Sequence, residues 1–132
     1  MYQVDVMSRV PVYEQIVDQT EKFVLAGIMK AGDQMPSVRK LSMELSVNPN
    51  TIQKAMMELD RRGIICSVPG RGSFIADDAV NHLASARRQE LTAMRETLEE
   101  LVLAGVTKEE IIALVEEVYA ATGRKEDQDD RG

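Results

Sequence analysis

A short polar run, residues 48–54, carries side chains that could recognise another molecule. On a helix, successive residues are rotated by about 100°. Asn50 and Lys54 therefore fall opposite the apolar Ile52, with Gln53 on the flank of the same outer face. Asparagine and glutamine amides can each form paired hydrogen bonds with adenine, while a lysine ammonium favours guanine or phosphate. The chemistry of this face is suited to base recognition in a DNA groove; the alternative is the solvated face of an amphipathic helix.

The elements around this run form a helix, a tight turn and a second helix. Ser37 can cap a helix over 38–45, and Ser46-Val47 makes a short connection. Asn48 can then accept hydrogen bonds from the first N–H groups of the next helix, and a proline fits its first turn. That helix is predicted to run to about Arg62 and to stop at Gly63.

A small hairpin is predicted directly after these helices. Ile64–Val68 and Ser73–Ala76 favour strands, and Pro69-Gly70-Arg71-Gly72 supplies the turn because glycine reaches positive φ without steric cost. An earlier apolar spacing predicts a further helix over 11–26, with Pro11 at its first position. The predicted fold class is therefore α+β, an N-terminal winged helix–turn–helix followed by a short helical tail.

Three positions outside the polar run can meet phosphate. Ser37 and Arg39 lie at the start of a helix, where free N–H groups attract an anion and arginine can fork onto it. Arg71 lies between two glycines that let the backbone approach a phosphate or a narrow minor groove, where arginine is favoured. The alternatives are a cap for Ser37, a surface ion pair for Arg39 and a solvated turn residue for Arg71.

Residues 9–76 resemble the DNA-binding domain of GntR-family bacterial transcription regulators. The segments PVYEQIVDQ, AGDQMPSVRKLSMELSVNPNTIQKAMMELDRRGII and PGRGSFIA occur in the family's order and spacing. Many members carry an arginine early in the recognition helix, where this chain has Pro49 and Asn50, so their base preference does not transfer. With this resemblance, the predicted DNA-binding residues are Ser37, Arg39, Asn48, Asn50, Thr51, Gln53, Lys54, Gly70, Arg71 and Gly72.

The second half of the chain predicts a partner of its own kind. After the winged domain over 1–76, an apolar stripe on a long helix over 79–104 is followed by a helix over 108–122, opened by a capping box at Thr107. Two helices cannot cover that stripe alone, so a homodimer is expected; the alternative is a tail that folds back on its own winged domain. The short tail is similar to that of the YtrA subfamily, where it serves dimerisation. The predicted dimerisation residues of region 77–123 are Leu83, Leu91, Met94, Leu98, Leu101, Ile111, Leu114, Val115 and Val118.

Charge is distributed unevenly along the chain. The net charge of −6 is unusual for a nucleic-acid binder. Residues 1–76 hold nine Lys or Arg against eight Asp or Glu, a net of +1, whereas residues 77–132 hold seven against fourteen, a net of −7. A nearly neutral first half can bind DNA if its cations share one face. Residues 124–132 are charged, lack apolar anchors and are predicted to be disordered.

Other function classes fit the sequence less well. One histidine and one cysteine, His82 and Cys66, make neither a nucleophilic pair with a third partner nor a zinc site, so we expect no enzyme, metal or cofactor. His82 is expected at a surface or interface and Cys66 as a small hydrophobe in the wing. Without a membrane span, a signal peptide or a disulfide, the expected location is the cytoplasm.

The partner expected is a double-stranded palindromic operator bound by the homodimer, with repression as the expected mode of action. A small-molecule effector stays open, since no cluster of polar residues points to a ligand. The alternative function is a winged-helix module that binds proteins and not DNA. Such a module should expose an apolar patch on its third helix, where only Met57 departs from the polar pattern.

Overall fold

The computed structural model describes residues 1–123 of the chain. These residues fall into two compact units, one formed by Met1–Arg88 and one that begins at Gln89. The segment predicted to be disordered, 124–132, lies outside the described residues. The elements in chain order are α1 (Val12–Leu25), α2 (Val38–Leu45), α3 (Pro49–Arg61), β1 (Ile65–Val68), β2 (Gly72–Ile75), α4 (Ala79–Arg88), α5 (Glu90–Leu103) and α6 (Lys108–Thr122).

The first unit is built around one apolar core, and the predicted α+β winged helix–turn–helix is confirmed. Its helices each turn an apolar stripe inward at the spacing of three or four residues that a helical period requires. The fully buried side chains include Ile16, Leu41, Ile52, Leu59, Ile64 and Ile75. The core therefore draws on α1, α2, α3 and both edges of the hairpin, which fixes the orientation of α3.

Polar caps set the limits of the two central helices as expected. The Ser37 hydroxyl accepts a hydrogen bond from Lys40 N at 3.1 Å, and the Asn48 side chain accepts one from Asn50 N at 2.8 Å. Between them, Ser46 adopts a left-handed φ of 54°, which turns the chain sharply from α2 into α3. Pro11, predicted as the first residue of α1, instead precedes it with an extended ψ of 146°.

The wing is held on two sides. β1 pairs antiparallel with β2, placing Ile65 opposite Ile75 and Ser67 opposite Ser73. On the other edge of β2, residues 32–35 run antiparallel to it: Ile75 N donates to Asp33 O at 2.8 Å and Met35 N donates to Ser73 O at 2.8 Å. The hairpin is therefore hydrogen-bonded to the segment before α2 as well as being connected to α3 through the chain.

The N-terminal segment lies along α1 and is fastened by two glutamines. Gln15 accepts from Asp5 N at 2.8 Å and donates back to Asp5 O at 2.9 Å. One turn later, Gln19 accepts from Gln3 N at 2.9 Å and donates to Gln3 O. Tyr2 is buried beyond them. The two side-chain amides thus satisfy backbone N–H and C=O groups that a neighbouring β-strand would otherwise pair.

A buried carboxylate connects three helices of the first unit. Glu21 on α1 is 4% exposed. Its oxygens accept hydrogen bonds from Arg62, directly after α3, at 2.8 Å and from Arg87 on α4 at 3.2 Å. A buried charge needs such partners because its desolvation is costly. The network fixes α4 against α1 and the end of α3.

The predicted long helix over 79–104 is interrupted at Gln89. Its first part, α4, belongs to the first unit because Ala79 and Leu83 are buried there at 1% and 5% exposure. Compact structure thus extends to Arg88 and does not end at Ala76. The apolar stripe spans the break without a glycine or proline, so the sequence held no local signal for it.

The second unit consists of two helices joined by a tight turn. Gly105 has a φ of +93°, and Val106 N donates to Leu101 O at 3.0 Å. The predicted capping box is present: Thr107 Oγ1 accepts from Glu110 N at 3.2 Å and Glu110 accepts from Thr107 N at 2.9 Å. Neither α5 nor α6 buries a residue in the single chain. No helix within residues 1–123 is long and apolar enough to cross a membrane.

Candidate nucleic-acid interface

The outer face of α3 presents the polar residues that the helical wheel predicts. Ile52, Ala55 and Leu59 are all 0% exposed and fix the rotation of the helix about its axis. The side chains on the opposite side are therefore turned to solvent. Exposed residues on that face are Asn50, Gln53, Lys54 and Met57, and Thr51 is half-buried beside them.

Tyr13 adds an aromatic ring to this face, which the sequence reading missed. The Lys54 ammonium lies 4.1 Å from the centre of the Tyr13 ring, a cation–π contact. The hydroxyl of Tyr13 donates to Glu14 at 3.2 Å, and this hydrogen bond raises the pKa of Tyr13. Tyr13 was visible in the segment PVYEQIVDQ, but only the packing of α1 beside α3 shows that it reaches Lys54.

Arg39 stands near the start of α2 as predicted. Ser37 uses its hydroxyl as a helix cap, and Arg39 on the first turn is exposed with no ion pair among the described residues. The alternative of a surface ion pair for Arg39 is therefore not what the structure shows. A cation at this place is available to an anion that approaches the N-terminal end of α2.

Arg71 occupies the tip of the wing between two glycines with left-handed backbone. Gly70 has a φ of +78° and Gly72 one of +114°. Arg71 N donates to Val68 O at 2.9 Å, which closes the turn. The Arg71 side chain is exposed, and the turn places it at the end of the hairpin farthest from the buried Ile65–Ile75 pair.

Not every cation near this face is available. Glu58 accepts hydrogen bonds from Arg61 Nε at 3.0 Å and from Arg62 Nε at 2.7 Å. These two guanidinium groups hold the pKa of Glu58 at about 2, well below its ordinary value of 4.5. Arg61 faces outward as predicted, but its charge is offset within α3. Within residues 1–123, Arg39 and Arg71 form no ion pair, and the Lys54 ammonium lies over the Tyr13 ring.

A groove separates the wing from α3. Gln34, Ser37, Gln53 and Met57 contribute to its walls, together with Asp60 and Ser73. The groove is therefore lined by side chains from α3, from the N-terminal cap of α2, and from β2 and the segment that pairs with it. Three segments that are distant in sequence converge on one side of the first unit.

His82 and Cys66 lie away from this face. His82 is exposed on α4, and its Nε2 is 2.9 Å from a side-chain oxygen of Asp78, the residue directly before that helix. Cys66, expected as a small hydrophobe, is an exposed free thiol on β1, because the alternation of the strand places Ile65 and not Cys66 in the core. Among the described residues, no group of three His, Cys, Asp or Glu side chains could hold a metal ion.

The predicted dimerisation residues divide between the two units. Leu83 is buried in the core of the first unit and cannot serve an intermolecular surface, which corrects the sequence-based assignment. The others lie on α5 and α6 in the second unit. Leu91, Met94, Leu101, Leu114 and Val118 are exposed, and Leu98, Ile111 and Val115 are half-buried.

Comparison with known proteins assigns a family to this arrangement. Residues 12–75 match the sequence profile described as "Bacterial regulatory proteins, gntR family". The HTH-type transcriptional repressor YtrA of Bacillus subtilis is 40% identical over 133 residues, which covers 96% of this chain and 100% of that protein. The chain belongs to the GntR family. Its resemblance to the YtrA subfamily is confirmed, and it is a DNA-binding regulator of transcription.

Solved structures of the family have the same fold. A GntR family transcriptional regulator from Listeria monocytogenes superposes with a TM-score of 0.69 at 35% identity, covering 86% of this chain and 98% of that one. The DNA-binding domain of AraR, solved in complex with the operator ORE1, gives a TM-score of 0.50 at 25% identity, covering 58% of this chain and 93% of that one. The B. subtilis and L. monocytogenes relatives are described as transcriptional regulators, in agreement with an expected function that is not enzymatic.

Proposed function

We propose that the protein is a homodimeric repressor that binds a palindromic operator in the cytoplasm. The observation that carries this proposal is the solvent-facing polar surface of α3, flanked by Arg39 and Arg71, which are exposed and form no ion pair in the described part of the chain. The repressor name of the B. subtilis relative and the operator complex of AraR support it. A small-molecule effector remains unassigned.

The roles proposed for individual residues follow from their chemistry and position. Asn50 and Gln53 would read adenine edges in the major groove, with Lys54 at guanine or phosphate. Ser37, Arg39 and Thr51 would bind phosphates beside that groove. Asn48 lies at the same end of α3 as Asn50 and would approach the DNA sugar–phosphate backbone there.

At the wing, Gly70 and Gly72 would allow Arg71 to enter the neighbouring minor groove or meet its phosphates. In a symmetric dimer, the two copies of α3 would lie in successive major grooves, about 34 Å apart along the DNA axis. The operator would then consist of two half-sites roughly one helical turn apart.

The partner chain is proposed to cover the apolar surface of α5 and α6. Leu91 is 59% exposed, Leu114 60% and Val118 53% in the single chain. Exposed large apolar side chains in such density mark an interaction surface, and helices of this kind bury their stripe against another helix pair. The seam proposed for the dimer is Leu91, Met94, Leu98, Leu101, Ile111, Leu114, Val115 and Val118.

A protein-binding winged helix is the less favoured alternative. It would place apolar side chains on the outer face of α3, but Met57, 64% exposed, is the large apolar residue there. The neighbouring Asn50, Gln53 and Lys54 would each lose water without a matched partner on an apolar protein surface, at a cost in binding.

Binding to the DNA upstream of the protein's own gene tests the proposal. A gel-shift or footprint should show a protected palindrome with a Kd on the order of 10⁻⁸ to 10⁻¹¹ M. Asn50→Ala and Gln53→Ala should change base preference at particular positions, whereas Arg71→Ala should weaken binding to all sequences. Failure to bind that region and to enrich any site from random DNA would overturn the proposal.

A further inference from the structure

We infer that Gln34, from the segment before α2, is a positioning residue for the wing: its side-chain amide holds the backbone of Arg71 in place. Gln34 Nε2 donates to the carbonyl oxygen of Arg71 at 2.9 Å, across 37 positions of sequence. This inference rests on the proposed role of Arg71 in DNA binding and adds to it the residue that orients the tip.

The tip needs a restraint from outside the hairpin because its glycine-rich sequence restrains the backbone only weakly. Arg71 stands between Gly70 and Gly72, and glycine has the largest conformational freedom of any residue. Within the hairpin, Arg71 N donates to Val68 O and closes the turn. Among residues 1–123, no side chain from outside the hairpin other than Gln34 hydrogen-bonds to residues 69–72.

The fit between Gln34 and the tip is close. A Cβ atom on Gly72 would lie 2.9 Å from Gln34 Nε2, nearer than such atoms approach one another. Gly72 is favoured by its φ of +114°, and a Cβ atom there would displace the Gln34 amide from its place against the tip. The backbone bridge between Gln34 and Phe74 fixes the starting point of the side chain.

The middle of the wing has a separate support. Ser67 Oγ donates to Asp60 of α3 at 3.3 Å and lies 3.2 Å from Ser73 Oγ. The Asp60 contact holds the hairpin to α3, the Ser73 contact joins its two strands, and neither extends to the tip. Loss of the Gln34 contact should therefore loosen residues 70–72 while the strands stay in register.

A fixed tip matters for affinity because ordering a mobile loop on binding costs free energy. With Arg71 already oriented, less conformational freedom is lost when the guanidinium meets DNA. A neutral hydrogen bond of this kind changes an equilibrium by about 3- to 10-fold. Gln34 need not touch the DNA to have this effect.

The test uses the full chain and the substitution Gln34→Met, which keeps the length of the side chain and removes its donor. Gln19→Met is the matched control, because Gln19 also binds backbone, that of Gln3, away from the wing. Backbone order parameters of the free protein are measured first. Gln34→Met should lower those of residues 70–72 from about 0.85 towards 0.6, and Gln19→Met should leave them unchanged. An unchanged tip in Gln34→Met would overturn the inference whether or not DNA is bound.

Operator affinity is then measured for Gln34→Met, Arg71→Ala and the double variant, on a site selected from random DNA. Gln34→Met should weaken binding by about 3- to 10-fold, and in the Arg71→Ala background it should cause little further loss, since it acts through Arg71. Full additivity, or wild-type affinity of Gln34→Met, would overturn the inference. Wild-type affinity of Arg71→Ala would overturn the role of Arg71 and the inference together. Absence of binding by the wild type would refute the proposed function and, with it, any effect of Gln34 on DNA.

Discussion

The two units of this chain use apolar residues in opposite ways. In Met1–Arg88 the large aliphatic side chains are inside, and Ile16, Ile52 and Leu59 have no exposed surface. In α5 and α6 no residue is buried in the single chain, although these helices carry Leu, Ile, Met and Val at regular spacing. We therefore expect the first unit to be stable alone, whereas the apolar stripe of the second is the surface proposed to pack against a partner chain.

Separating the two units gives the largest expected effect. A chain truncated after Arg88 keeps the whole core, including Ala79 and Leu83, and should unfold cooperatively as a monomer. Its affinity for a two-half-site operator should fall by about 10²- to 10⁴-fold, because the second half-site no longer binds at high effective concentration. Sedimentation and gel-shift measure the two effects. A truncated dimer with undiminished affinity would show that the first unit assembles on its own.

Equal leucine truncations in the two units should have different consequences. Leu59→Ala removes a side chain that is 0% exposed and should lower the free energy of unfolding by about 2–5 kcal/mol. Leu114→Ala alters a side chain that is 60% exposed and should instead shift the monomer–dimer equilibrium. Denaturant titration and sedimentation of both variants decide the comparison. A stable Leu59→Ala protein, or an unaltered dimer in Leu114→Ala, would contradict the assigned roles.

Removing an ion pair should lower the free energy of unfolding more in the first unit than in the second. Glu21→Gln weakens a buried carboxylate site that accepts from two arginines, and should lower the free energy of unfolding by about 1–3 kcal/mol. Glu99 in α5 lies 3.5 Å from Arg95, with both side chains exposed. Glu99→Gln should therefore cost less than about 0.5 kcal/mol. Thermal unfolding of the two variants measures this contrast, and equal losses would remove it.

The smallest effect concerns an exposed cluster on the first unit. Because the pKa of Glu58 is lowered to about 2 in the folded chain, its stabilising contribution is present above pH 4.5 and is lost as the pH falls towards 2. The difference in unfolding midpoint between wild type and Glu58→Gln should shrink over that range. Glu44→Gln, which removes an exposed carboxylate with no ion pair in the described chain, is the control. A pH-independent difference would argue against the arginine contacts.

Much of the first unit could be predicted because its signals are local. Capping by Ser37 and Asn48 depends on a few neighbouring residues, and so does the turn at Gly70–Gly72. The outward direction of Asn50, Gln53 and Lys54 follows from the helical period and the buried side of α3. Assignment of these residues to DNA contacts stays a prediction, since it depends on a partner.

Errors of the sequence reading arose where distant segments meet. The break at Gln89, the burial of Leu83 and the exposure of Cys66 depend on which surface each residue packs against. Periodicity gives the spacing of apolar residues but not the identity of the neighbour that covers them. The apolar stripe over 79–104 therefore has two parts: its α4 part is buried in the core of the first unit, and its α5 part lies at a surface.

The amino-acid sequence was sufficient to predict the helix–turn–helix, its caps, the wing turn, the family and the polar face of α3, because each depends on local order along the chain. The folded structure was needed to show that Lys54 lies over the Tyr13 ring, that Glu21 joins α1 to Arg62 and Arg87, and that Gln34 reaches Arg71. Those contacts link residues that are 37 to 66 positions apart in the sequence. Local patterns carry no information on such distances, which arise when the core closes.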